Sequence, residues 1–209
     1  MRWLKSIALI MFFSLSVNGL VLAEEYEEGV HYTLITPAQP TETGNKVEVR
    51  EVFWYGCPHC FRFEPTINRW LKNKPAEAEF VRMPGMLVPH WEPHGRAFYV
   101  AEMLGVWDKI HEPLFNALHL EKKEIKSEDG LADFFEGFGV KKDDFHKAYR
   151  SFAVETKVRR AKQLAKRYGI NGVPAIIVNG KYVVSNRNSG GPRETMKIAD
   201  YLVKKESSK

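Results

Sequence analysis

Residues 52–60 read Val52-Phe53-Trp54-Tyr55-Gly56-Cys57-Pro58-His59-Cys60. An apolar run ends in the only two cysteines of the 209-residue chain, and a helix-like pattern follows at once. Pro58 suits the first turn of a helix, where a missing N–H has no partner to lose. The stretch therefore reads as a reactive dithiol at a strand-to-helix turn. A bridge across two residues closes a very small loop and removes little entropy from the unfolded chain, which makes it a poor structural staple. Covalent haem attachment needs His directly after the second cysteine, and Phe61 stands there. Zinc is the remaining rival, because His90 and His94 supply a His-x3-His behind the Cys-x2-Cys. The 29-residue gap between Cys60 and His90, with Pro84, Pro89 and Pro93 in or near it, opposes that reading.

Only a thiolate attacks a disulfide, and only a stable thiolate leaves one readily. At a helix N-terminus Cys57 meets unpaired backbone N–H groups and the positive end of the macrodipole. His59 adds a hydrogen bond or a positive charge. Both favour the charged sulfur and predict a Cys57 pKa far below its ordinary value of about 8.5.

Outward from this turn, residues 47–55 form the first strong strand. Val47, Val49, Phe53 and Tyr55 fall on one face and Val52 and Trp54 on the other, the pattern of a central strand covered on both sides. Before it, residues 31–35 read as a short edge strand ended by Pro37 and Pro40, and residues 41–46 as a loop. After it, Phe61, Ile67, Trp70 and Leu71 make a helical stripe, with Pro65 inside as an expected kink. Residues 78–83 are another strand, closed by Pro84-Gly85. Residues 88–152 then change character. Residues 97–107 are an apolar helix-length run, and Ile110, Leu114, Phe115 and Leu118 a second stripe despite Pro113. Ser127 caps a helix that turns Leu131, Phe134, Phe135 and Phe138 inward. Asp143 or Asp144 caps the next, with Phe145, Ala148, Tyr149 and Phe152 inward. With no strand between them, these helices read as an all-α insertion. Val154, Val158, Ala161, Ala165 and Tyr168 mark a long helix facing a core, ended by Gly169. Gly172-Val173-Pro174 follows, then two β-rich runs joined by Asn179-Gly180, a strong hairpin signal. Residues 185–192 are a Gly-rich loop, and the last helix carries Met196, Ala199, Leu202 and Val203 inward.

The first 23 residues stand apart from the fold. Arg2 and Lys5 precede the apolar residues 7–15, and Val21-Leu22-Ala23 suits a cleavage point, the layout of a secretory signal peptide. A retained anchor is opposed by Ser14, Ser16, Asn18 and Gly19, which interrupt the run. Cleavage after Ala23 leaves 186 of the 209 residues and lowers the formal charge from +5 to +3. So mild a balance gives no reason to invoke nucleic acid. Export also sharpens the cysteine reading, since structural disulfides in an oxidising compartment come as several spaced cysteines.

The block Phe53 to Cys60, the Val173-Pro174 pair, the hairpin Val178-Asn179-Gly180-Lys181-Tyr182 and the helical insertion together resemble the DsbA-type thiol:disulfide interchange proteins, the periplasmic disulfide-forming oxidases. The resemblance covers nearly all of residues 24–209. It implies a thioredoxin fold, an α/β architecture with a mixed central sheet and helices on both faces, built from residues 24–87 and 153–209 with a helical insertion at 88–152. It also implies a monomeric enzyme without cofactor beyond a redox-active Cys57–Cys60 disulfide. The resemblance further implies that a substrate thiolate attacks Cys57, that Cys60 leaves and is the resolving thiol, that Pro58 and His59 tune the pair, and that a cis Pro174 with Val173 binds substrate. Unfolded exported proteins with free thiols are the implied partners, with a quinone-linked membrane protein of the DsbB type for reoxidation. The low Cys57 pKa is itself a property of that family, so the residues and the resemblance agree without being independent. Glu51 takes the place of the family's buried acidic residue six positions before the first cysteine. The lysine that accompanies it in well-known members is missing from Phe80-Val81-Arg82-Met83, leaving Arg82 as the candidate substitute. A reductase or isomerase on the same fold is the nearest alternative, with a non-catalytic zinc-binding or chaperone module as the alternative of another class, and His59 favours oxidation. Taken singly, His59 is a surface residue, Pro174 a trans turn proline and Glu51 a half-exposed carboxylate. Phe98, Tyr99, Trp107, Phe115, Phe134 and Phe135 read as core, and the basic residues between Lys157 and Arg167 as a solvated face. Trp54, Met86, Leu87, His90 and Trp91 either border a substrate groove or simply pack.

Overall fold

Strand β2 (Val47–Phe53) is buried along its whole length, because it has a hydrogen-bonded neighbour on each side and helices on each face. β3 (Ala78–Pro84) runs parallel to it and β4 (Ala175–Val178) antiparallel, with β5 (Tyr182–Ser185) and then β1 (Thr33–Leu34) beyond β4. The sheet order is β1-β5-β4-β2-β3. The computed structural model describes residues 26–185 and 189–208. The expected signal peptide and part of the Gly-rich loop lie outside the described residues.

The period-2 alternation of the strands divides the interior into two cores. Val47, Val49, Ile176, Val178 and Val184 meet α1 (Pro58–Leu71) and α7 (Pro192–Ser207) on one face. Val52, Met83 and Ile177 meet α6 (Phe152–Arg167) on the other, and that core continues into the helices inserted between β3 and α6. These are α2 (Glu92–Met103), α3 (Trp107–His119), α4 (Glu128–Glu136) and α5 (Lys142–Tyr149), preceded by a 3-10 turn at Pro89–Trp91. The β4–β5 hairpin follows its sequence signal closely. Asn179 and Gly180 both adopt left-handed backbone, at φ 50 and φ 64, as the tightest hairpin turns require. A side chain at Gly180 would place its Cβ 2.0 Å from the Gln39 carbonyl oxygen.

Several helix expectations need correction. Phe53 and Tyr55 do not join Val49, because β2 ends at Phe53 and both rings turn into the inserted lobe. On α1 the inward stripe is Cys60, Phe63, Ile67 and Trp70, with Phe61 and Leu71 only half-buried. The helix continues unbroken past Pro65. The apolar run at 97–107 is two helices, separated at Gly105 with φ 67. Leu131, Ala132 and Phe135 are the buried face of α4, and Phe134 and Phe138 only border it. The N-cap of α5 is Lys141, so Asp143 and Asp144 fall in the first turn, where they complement the helix dipole instead of capping it. Phe152 does not point inward: it opens α6 behind the Ser151 cap and is 79% exposed. Ser127 and Ser151 each accept a hydrogen bond from a first-turn amide, as good N-caps do.

Phe145, fully buried against Phe135 and Tyr149, and the exposed Phe152 make a direct test of this packing. Phe145→Ala is expected to destabilise the protein by about 3–5 kcal/mol, and Phe152→Ala by less than about 0.5 kcal/mol. Urea unfolding midpoints at constant m-value measure both.

Candidate active site

β2 ends where β4 begins, because the two strands are antiparallel and Val52 lies opposite Ala175. The turn after β2 and the loop before β4 therefore lie side by side, and this brings Cys57 to Val173 across 116 residues of sequence. The Cys57 Sγ is 3.5 Å from the Val173 carbonyl oxygen, and the Val173–Pro174 peptide is cis. Cys57 is the N-cap of α1, with extended backbone at φ -87 and ψ 116 and Pro58 immediately after it. The tight entry depends on Gly56, where a Cβ would sit 2.3 Å from the Trp54 ring.

The two thiols occupy unlike surroundings. Cys57 is largely covered and Cys60, one turn into the helix, is completely so. As a thiol Cys57 makes no capping hydrogen bond. As a thiolate it accepts from the Cys60 thiol first, and also from the backbone amides of Cys60 and His59, with the charge of His59 in addition. These outweigh its partial burial and bring its pKa down to about 6. The Cys60 thiol contributes most and the first-turn amides add to it, all acting on the charged form, which is why the shift is downward. Burial pushes Cys60 the other way, followed by its hydrogen bond to Cys57, so that Cys60 stays a thiol. Pro58 and His59 are exposed on the outer side of the turn. An Arg62 N–H lies 3.0 Å from His59 Nδ1, a contact on the outer side of the turn that the sequence reading did not include.

Glu51 is fully buried. In the parallel register it lies opposite Arg82, whose Nε donates to Glu51 Oε2 at 3.0 Å. Arg82 therefore occupies the position left open by the missing lysine. The same guanidinium donates to Glu64 Oε2, also at 3.0 Å, and lies 5.2 Å from the Trp107 ring centre. One cation shared by two carboxyls cannot satisfy both. Burial, and then the Glu64 charge, push Glu51 up to about 8 despite Arg82. Burial also works against the Glu64 carboxylate, but His111 and Arg82 hold it below the usual range. His111 is nearly buried, with Nε2 3.4 Å from Glu64 Oε2 and Nδ1 2.9 Å from the Tyr55 hydroxyl.

Glu64 and His111 were not singled out from sequence. Glu64 carries a local signal, since it lies four residues beyond Cys60 and so on the same face of α1. His111 carries none, because only the packing of α3 against α1 brings it near. The aromatic residues flagged as a groove border collect elsewhere. Trp54 stacks on Trp91 at 4.5 Å and 7°, with His90 edge-on to Trp54. The open groove beside the dithiol, about 690 Å³, is lined instead by His59, Ile170, Gly172, Val173, Pro174 and Ser185 among others. His94 is buried with Nε2 2.6 Å from the Ile125 carbonyl, and no cluster of three potential metal ligands occurs among the described residues.

The Cys57 shift fixes a pH dependence. The folded value, about 6, lies below the reference of 9.0, so the unfolded chain holds more protons between them and stability rises with pH in that window. The contribution is complete above pH 9, on the order of 4 kcal/mol, and is lost as pH falls through 6. Denaturant unfolding of the reduced protein against Cys57→Ser, from pH 5 to pH 9, is expected to show the difference growing with pH.

The comparisons with known proteins agree with this geometry. The family model for a DSBA-like thioredoxin domain matches residues 86–193. The thiol:disulfide interchange protein DsbA of Pseudomonas syringae pv. tomato is 45% identical over 184 residues, 88% of this chain and 86% of that protein. The DsbA of Azotobacter vinelandii is 42% identical over 195 residues, 93% of this chain and 88% of that one. The crystal structure of Pseudomonas aeruginosa DsbA superposes with a TM-score of 0.82 at 43% identity, covering 88% of this chain and 95% of that one. A dithiol whose two sulfurs are driven to opposite protonation states, on this fold and among these relatives, identifies the chain as a member of the DsbA-like thioredoxin family and a thiol:disulfide oxidoreductase.

Proposed function

We propose that the protein is exported to the periplasm and, in its oxidised form, donates the Cys57–Cys60 disulfide to unfolded or partly folded exported proteins with free thiols. The observation that carries the direction is the stabilised Cys57 thiolate. Lowering its pKa from 9.0 to about 6 favours the reduced protein by on the order of 90 mV for a two-electron couple. The disulfide form is then the better oxidant. A substrate thiolate attacks Cys57 and forms a mixed disulfide, while the Cys57–Cys60 bond breaks and its electron pair leaves on Cys60. A second substrate thiolate then attacks the substrate sulfur of the mixed disulfide, and Cys57 departs as a thiolate. Cys60, being buried and held as a thiol, needs a proton when it leaves. Glu51 supports the role of donor, because its carboxyl keeps a proton up to about pH 8 and shares an electrostatic field with both sulfurs. The Val173 backbone, beside the groove, suits pairing with an extended substrate strand. Pro174 has no N–H of its own to compete for that strand. Reoxidation falls to a quinone-linked membrane protein of the DsbB type. The protein works as a monomer, without nucleic acid and without a cofactor beyond its own disulfide. Export rests on the leader-like pattern of residues 1–23.

Mixing the oxidised protein with a reduced, unfolded substrate tests the direction. Rapid disulfide formation in the substrate is expected. Cys60→Ser accumulates the mixed disulfide on non-reducing gels, and Cys57→Ser neither traps nor reacts. A purified protein that holds stoichiometric zinc and exchanges no disulfides would overturn the reading.

Glu51 gives a second test. Its folded pKa of about 8 lies above the reference of 4.5, so the folded state binds the extra proton and loses stability as pH rises between these values. Glu51→Gln is therefore expected to match the wild type in stability near pH 4 and to exceed it increasingly towards pH 8. If Glu51 is the proton donor, the same variant slows substrate oxidation at neutral pH. Equilibrium unfolding and stopped-flow oxidation of a dithiol peptide measure the two effects.

A further inference from the structure

The cluster beneath the dithiol contains two carboxyls, one guanidinium and one imidazole, drawn from four elements. Glu51 is on β2, Arg82 on β3, Glu64 on α1 and His111 on α3 of the inserted lobe. Arg82 keeps its charge at any pH the protein meets and has Glu51 at 3.0 Å on one side and Glu64 at 3.0 Å on the other. It cannot pass a proton on, but it locks one oxygen of each carboxyl. The remaining oxygens, Glu51 Oε1 and Glu64 Oε1, are buried without a hydrogen-bond partner, as is His111 Nε2.

A count of charges follows from this geometry. With Arg82 cationic and Glu64 ionised, the cluster is neutral when it holds one further proton. Two groups can carry it: the Glu51 carboxyl or the His111 ring. A net buried charge is costly in a poorly polarisable interior, so losing the proton from one site favours gaining it at the other. The surroundings of His111 permit both states. Nε2 faces Glu64 at 3.4 Å, an ion-pair distance that strengthens once the ring is charged. Nδ1 faces the Tyr55 hydroxyl at 2.9 Å, which donates to a neutral ring and accepts from a protonated one. The other charged groups acting on the ring are Arg82, which opposes protonation, and Glu112, which favours it. Trp107 stacks over the ring at 4.5 Å, and Phe53 and Phe115 close its edges. While Glu51 keeps the proton, burial holds His111 below its ordinary value.

We propose that Glu51 and His111 share a single buried proton across Arg82 and Glu64, making His111 a positioning residue that recharges the site as the disulfide opens. The inference rests on Glu51 being the donor proposed above. When a substrate thiolate bonds to Cys57, the electron pair of the Cys57–Cys60 bond leaves on Cys60, and the Glu51 carboxyl proton moves to Cys60. His111 takes a proton from water, and the cluster returns to neutrality. Reoxidation of the dithiol reverses both transfers. The inserted lobe thereby contributes to the chemistry of a dithiol carried by the other part of the fold.

The test follows the His111 ring by NMR in the full-length mature protein with labelled histidine, the signal being assigned from His111→Gln. In the wild type, ring deprotonation is expected to extend towards the range in which Glu51 titrates. In Glu51→Gln it collapses to a single step whose midpoint is lower by about one pH unit or more, a tenfold change in proton affinity. Identical ring titrations in the two proteins overturn the proposal. His111→Gln is expected to slow oxidation of a dithiol peptide by about tenfold at pH 7, the cost of one pKa unit, while the Cys57 thiolate absorbance keeps its midpoint. A moved thiolate midpoint with an unchanged rate also overturns it. If His111→Gln does not fold, the ring is assigned by its contact with Trp107 and the comparison with Glu51→Gln stands alone. The two readings fail separately. If Glu51→Gln oxidises the peptide with the wild-type pH profile, the donor role of Glu51 is lost, while the ring titration still decides the shared proton.

Discussion

The sulfur of Cys57 sits where the first turn of α1 has amide hydrogens that no helix carbonyl reaches. This single constraint organises the site. A thiolate there is stabilised by the Cys60 thiol first and by the amides of Cys60 and His59 in addition, none of which favours the neutral form as much. The helix end therefore discriminates between the two protonation states of one atom, and that difference becomes redox poise because the disulfide form cannot benefit from it. Everything around the turn serves to keep the sulfur in place. Gly56 lets the chain pass under Trp54, Pro58 opens the helix without wasting an amide, and the antiparallel meeting of β2 and β4 holds Val173 against the thiol.

Cys60 depends on the same helix for the opposite effect. One turn deeper, it faces the core instead of the helix end, and burial keeps it neutral. The two cysteines are three positions apart in sequence, yet one lies at a boundary with open donors and the other inside an apolar layer. The asymmetry begins with helix geometry, and the hydrogen bond from the Cys60 thiol to the Cys57 sulfur widens it from both sides. What a buried leaving group does need is a proton, and the cluster of Glu51, Arg82, Glu64 and His111 is the adjacent polar feature able to hold one. Arg82 at the position of the family's lysine preserves the charge but not the ability to lose it, so titration passes to the groups on either side.

The sheet and the inserted lobe contribute unequally to this cluster. Parallel register alone brings Glu51 beside Arg82, because facing residues of neighbouring strands share a side of the sheet. Helix periodicity alone brings Glu64 to the Cys60 face. His111 arrives through neither. It needs the lobe to fold and dock α3 against α1, where Phe53, Tyr55 and Phe115 form a common aromatic core. The insertion is therefore one wall of this buried cluster, continuous with the main core rather than a separate appendage.

Local covalent and conformational rules made much of this protein readable from its sequence. The Cys-Pro-His-Cys block at a strand-to-helix turn, the Asn179-Gly180 turn, the Ser127 cap and the shared face of Val47 and Val49 each depend on neighbours a few residues away, and each was found where the pattern placed it. The errors came where a residue's fate depends on distant partners. Phe152 looked inward because its spacing continued that of Phe145, but a new helix begins there and turns it to solvent. Phe53 followed the strand's alternation until the strand ended and the lobe claimed its ring. Glu51 taken singly carries no local mark of burial, and only its place in the family pattern pointed to the interior where the fold puts it. Sequence alone thus determined which atoms react, since the thiols and the helix end are local. Tertiary structure alone decided which protons accompany them, because a buried charge takes its pKa from whatever the fold packs around it.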